Sequence, residues 1–162
     1  MIEFGCGDGN QLSLADYPAY IGLDVSETAI KLCIQRFVGD RTKSFFLYDP
    51  HCFSDPTGAL RADVAISLDV LFHLVDDSLF GLHLRHLFGA GARFVVICSS
   101  NAAFPDAAAH VRHRTFTDTV ASGFPAWRLI EHIANPVPYN GNYKETSPSD
   151  FFVYGRGVDD LT

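Results

Sequence analysis

Glu3-Phe4-Gly5-Cys6-Gly7-Asp8-Gly9 sets a glycine at every second position directly behind a short apolar run. Glycine has no Cβ, so such a loop can turn sharply and bring its backbone against a ligand at the carboxyl edge of a sheet. A glycine-rich turn alone is weak evidence of a site. Here the next β-rich run ends in Asp24, whose carboxylate can accept hydrogen bonds from both hydroxyls of a ribose. The third run is followed by another acid, Asp49.

Working outward, β-rich apolar runs occupy 2–4, 19–24, 44–48, 62–68, 92–98, 127–133 and 151–155, alternating with amphipathic segments. That alternation predicts a mostly parallel sheet flanked by helices. Ser26 is placed to N-cap a helix through Ala29, Ile30, Cys33 and Phe37. Asp76 or Asp77 starts a second, carrying Leu79, Leu82 and Leu87 and ending near Gly89, and a third is expected over 106–122. Residues 135–148, rich in Pro, Asn and Gly, form a long loop, so the last two strands meet without a crossover helix and pair antiparallel. The expected architecture is α/β: a Rossmann-like three-layer sandwich, with a mostly parallel seven-stranded sheet finished by a C-terminal antiparallel hairpin.

With 162 residues, 48% of them hydrophobic, the chain suits a single domain spanning 1–162. A net charge of −7 opposes general binding of a nucleic-acid backbone, so a small-molecule partner is expected. Cys6, Cys33, Cys52 and Cys98 lack metal or redox spacing and disulfide density, which suggests reduced thiols in a cytoplasmic protein with no bound metal. No apolar run approaches the ~20 residues that span a bilayer, so no membrane partner is expected.

Together these residues resemble the class I S-adenosylmethionine (SAM)-dependent methyltransferases, over residues 2–156. In that family an E/D-x-G-x-G-x-G loop follows the first strand, an acid ends the second, and another often follows the third near the adenine. Glu3, Gly5, Gly7, Gly9, Asp24 and Asp49 fill those places. The segment 62–74, which begins Ala62-Asp63 and ends Phe72-His73-Leu74, is similar to the family's fourth strand and its His turn. The resemblance implies SAM as cofactor, bound through Glu3, Gly5, Cys6, Gly7, Gly9, Asp24, Val25, Asp49 and Leu68, and methyl transfer to a small-molecule acceptor. In agreement, residues 1–30 hold five acids and no Lys or Arg, a field that favours a sulfonium and an ammonium over a phosphate.

Each candidate has a structural alternative. Asp24 could cap the following helix, and Asp49, before Pro50, could form a turn. Glu3, in a core strand, requires a ligand or loop-amide partner. His73 lies at the rim and could take a proton from an acceptor hydroxyl, or simply pack at a helix start. His83 with His86 and His110 with His113, each three apart on predicted helices, are assigned to solvated faces. Asn135-Pro136-Val137-Pro138-Tyr139 resembles the Asn-Pro-Pro-Tyr motif of amino-group methyltransferases but lies far from the fourth strand, where that motif belongs, and is read as loop rigidity.

Two rival readings remain. A nicotinamide-dinucleotide domain requires G-x-G-x-x-G, which would put the third glycine at Asn10. A SAM-binding subunit without activity is the other. Finally, the first strand has three or four residues where a typical one has about 5 to 6. The chain is therefore expected to lack the family's N-terminal helical segment and to leave the cofactor pocket open on one side, so that it is either a piece of a longer protein or is covered by a second subunit, such as a second copy of itself.

Overall fold

The computed structural model describes residues 1–102, 108–142 and 145–157. The strands are β1 (Ile2–Phe4), β2 (Tyr20–Asp24), β3 (Lys43–Leu47), β4 (Ala62–Leu68), β5 (Gly91–Ser99), β6 (Trp127–Ile133) and β7 (Asp150–Arg156), joined in one sheet in the order β3-β2-β1-β4-β5-β7-β6. The first five pair in parallel, and β7 is antiparallel to both its neighbours. Helices α1 (Glu27–Arg36), α2 (Asp77–Ala90) and α3 (Phe116–Gly123) complete the α/β sandwich. Among the described residues no helix is long and apolar enough to cross a membrane.

The pleat of β1 sorts the layers. Ile2 and Phe4 are fully buried among Phe80, Leu84, Leu87 and Phe88 of α2, with Ala65, Val95 and Ile97 beside them. Glu3, between them, points to the opposite face, where Ile30 and Cys33 of α1 pack with Cys6, Leu12 and Tyr20. Cutting Leu84 to Ala would cost about 2–5 kcal/mol. The buried stripe of α2 is thus Phe80, Leu84, Leu87 and Phe88, with Leu79 and Leu82 only half-buried.

Caps fix two of the helices where the sequence places them. Ser26 Oγ accepts the Ala29 amide at 3.2 Å, and Asp76 Oδ1 accepts those of Ser78 and Leu79 at 2.8 and 3.0 Å. The expected helix over 106–122 is corrected: Asp106 lies outside the described residues, 108–115 are not helical, and α3 starts at Phe116. Tertiary bonds capture the backbone and side chains of that stretch, as set out below. The final pair is more than a hairpin added at the edge. β7 inserts between β5 and β6, where Phe152 and Tyr154 are buried in the core on one face while Phe151 and Val153 on the other stay exposed or half-buried, and Arg128, Glu131 and His132 suit β6 to an edge.

Candidate functional site

At the end of β1 the chain turns through Gly5, Gly7 and Gly9, with φ of +88°, +56° and +74°. The amides of Gly5 and Cys6 both donate to the Leu23 carbonyl, at 2.7 and 3.1 Å. The Gly7 amide donates to Asp24 Oδ2 at 2.9 Å, while Oδ1 accepts the Ser26 amide at 2.8 Å. Asp24 therefore ties the glycine loop to the start of α1, and each of its oxygens keeps acceptor capacity for a second donor. The glycines differ in what they make room for. A Cβ on Gly5 would meet Val70 Cγ2 at 2.3 Å and one on Gly9 the Phe37 ring at 2.8 Å, whereas one on Gly7 would meet nothing within 4 Å. Gly5 and Gly9 permit close packing; Gly7 faces open space.

A cleft of about 370 Å³, within the range of small-molecule sites, lies at this carboxyl edge. Gly5, Asp24, Val25, Leu68 and His73, all anticipated from the sequence, line it. Cys6 and Gly9 lie behind the loop: Cys6 is buried, and its thiol pKa is raised, mainly by burial. Glu3 requires a correction. Its partner is the Tyr20 hydroxyl, which donates to Oε2 inside the α1 layer, so neither ligand nor loop amide is needed to explain it. Burial pushes its carboxyl up to about 7, with the Tyr20 bond opposing and the Asp24 charge adding to the rise. Asp49 is exposed, its carboxylate accepts the His51 amide at 2.9 Å in a turn, and it is not among the residues that line the cleft, as Tyr48 and Pro50 on either side of it are.

Tyr48, Pro50, Asp69, Val70, Leu74, Leu79 and His83 complete the lining and were not anticipated. His83 is buried, its Nε2 2.9 Å from Ser67 Oγ, and burial drives its pKa down to about 4, so it is neutral. His86 Nδ1 lies 2.6 Å from the Tyr48 hydroxyl, and His113 is buried with its Nδ1 against Ser100 Oγ. The assignment of these three to solvated faces is thus overturned; of the two pairs, His110 alone is exposed. The position of His83, three after Phe80 and four before Leu87, was a legible sign of an inward face. Asp69 combines a left-handed φ of +57° with a 2.6 Å bond from Ser149 Oγ, 80 residues away, for which no local pattern gives a signal. Asn135 braces its loop by donating to the Ser147 and Ser149 carbonyls and accepting the Val137 amide, in keeping with loop rigidity. Among the described residues no group of three or more His, Cys, Asp or Glu could hold a metal ion.

No protein-family model and no curated protein matches the chain. Solved structures do. The N-methyltransferase NodS from Bradyrhizobium japonicum WM9, in complex with S-adenosylhomocysteine (SAH), superposes with a TM-score of 0.75 at 20% identity, covering 96% of this chain and 76% of that one. Magnesium protoporphyrin IX methyltransferase ChlM from Synechocystis PCC 6803, with bound SAH, gives 0.70 at 16% identity, over 96% and 73%. A SAM-dependent methyltransferase from Methanosarcina mazei gives 0.70 at 13% identity, over 96% and 91%. The strand order, with β7 antiparallel between β5 and β6, also departs from the 3-2-1-4-5-6 order of dinucleotide-binding sheets. This chain has the Rossmann-like fold of the class I SAM-dependent methyltransferases.

Proposed function

We propose that the chain is a SAM-dependent methyltransferase acting on a small-molecule acceptor. The observation that carries the proposal is the Gly7–Asp24 lock: a loop amide, at a glycine that faces open space, bonded to a carboxylate that lines the cleft together with Gly5. The charge of the cleft supports it. Among the described residues that line it, Asp24 and Asp69 are the carboxylates, none is Lys or Arg, and buried His83 adds no positive charge. Such a lining favours a cationic ligand and gives a pyrophosphate nothing to pair with.

Gly5, Gly7, Asp24, Val25, Tyr48, Pro50 and Leu68 would hold the cofactor, with Asp24 accepting from ribose hydroxyls through its remaining lone pairs. When bound, SAM supplies an electrophilic methyl group on a sulfonium. The protein's share is then orientation and exclusion of water, to which the apolar side chains Val25, Leu68, Val70 and Leu74 contribute. His73, exposed at the rim with its ring 4.6 Å from that of Phe72, would take a proton from an acceptor. The test is calorimetry with SAM, SAH and NAD. Binding of SAM and SAH without NAD is expected; NAD binding, or none at all, would overturn the proposal.

A further inference from the structure

Residues 110–114 precede α3 without helix or strand, and their side chains grip two neighbours. His113 bonds Ser100, just beyond β5. Arg112 and Arg114 reach instead to the segment 70–77 that leads into α2. There the Arg112 amide donates to the Phe72 carbonyl at 2.8 Å, and its Nη1 to the Val75 carbonyl at 3.0 Å. Arg114 Nη1 donates to the Leu74 carbonyl at 2.7 Å and Nη2 to that of Val75 at 2.9 Å, while its guanidinium meets Asp77 Oδ1 at 3.0 Å and lies 4.6 Å from the Phe80 ring centroid.

Every carbonyl from Val70 to Val75 is thereby satisfied. Those of Val70, Leu71 and His73 accept local amides, from His73, Leu74 and Val75, and those of Phe72, Leu74 and Val75 accept from the strap. His73 and Leu74, which line the cleft, sit inside the segment so bound. A short, non-repetitive segment has little to fix it by itself, and a planar fork of donors is what can hold two carbonyls and a carboxylate at once.

We infer that Arg114 is a positioning residue of the cleft, holding His73 and Leu74 in its wall; the inference rests on the reading of that cleft as the SAM site. The test uses the full chain with Arg114→Gln and Arg114→Lys, read by SAH calorimetry and by the NMR signals of the His73 ring and the 71–75 amides without ligand. Both variants are expected to weaken SAH about tenfold and to move the His73 and Leu74 signals, with the Gly7 and Asp24 amides unchanged. Lysine keeps the charge but not the fork, so it should not rescue. Unchanged His73 and Leu74 signals, rescue by lysine, or loss of affinity accompanied by equal changes at Gly7 and Asp24 would each overturn the inference. If the wild-type chain binds no SAH, the proposed function fails, while the ligand-free signals still decide the role of Arg114.

Discussion

The two walls of the cleft are built by opposite means. On the β1–β2 side the parts are backbone: left-handed glycines, two amides on the Leu23 carbonyl, and a third on Asp24. On the β4 side the parts are side chains reaching far along the sequence, with Arg114 binding 37 to 40 residues back and Ser149 binding Asp69 80 residues back. A wall made by removing side chains tolerates no addition, whereas one made of many side-chain bonds should lose its order in steps.

The largest effect should come from adding atoms to the first wall. Gly7→Val is expected to remove measurable SAH affinity, because its side chain enters the open space beside the Asp24 bond. The fold should survive, since a branched residue at φ +56° costs only about 1–2 kcal/mol. Retained binding would break the contrast.

Next comes a pH effect that separates the two layers of the sheet. Glu3, with its carboxyl raised from 4.5 to about 7, binds a proton more tightly when folded, so stability falls as pH rises through that window, by about 3 kcal/mol at most. Glu3→Gln should match the wild type near pH 5 and exceed it at pH 8 in denaturant unfolding. His83, on the other face, is lowered from 6.5 to about 4, so its contribution to stability is lost as pH falls through that interval. The acid-side slope should therefore persist in Glu3→Gln. A variant with the same profile as the wild type throughout would show that Glu3 titrates normally.

Asp24→Ala sharpens the comparison, since it removes the one side chain on which the backbone wall depends. A loss of about 1–3 kcal/mol in SAH binding is expected, and unchanged affinity in calorimetry would reduce Asp24 to a brace for the loop. The smallest effect belongs to Asp49→Ala. With its carboxylate exposed and engaged in the turn, SAH affinity should change by less than about 0.5 kcal/mol. A larger loss would restore its adenine-side assignment.

The same contrast explains what could be read in advance. The strands, the Ser26 and Asp76 caps and the glycine loop are local signals, written in period, capping chemistry and missing side chains. The segment before α3 looks helical by pattern, and only the carbonyls of Phe72, Leu74 and Val75, which take its donors, explain why it is not. Glu3 was rightly marked as needing a partner, but that partner, Tyr20, lies 17 residues on and reads in isolation as an ordinary core aromatic. The partners of His86 and His113, Tyr48 and Ser100, are likewise set by how the elements stack.

The place of β7 in the sheet bears on how the molecule assembles. β6 leaves the ribosome first, yet the only strand it pairs with among the described residues is β7, which is synthesised later and must slot between β5 and β6. Until then β6 has no ladder, and Leu129, Ile130 and Ile133, still 47%, 57% and 47% exposed after folding, stand beside unpaired backbone. Closure of the sheet is therefore a late, non-local step, slow by topology. The nascent chain is most open to mispairing with its neighbours in the interval between the emergence of these two strands.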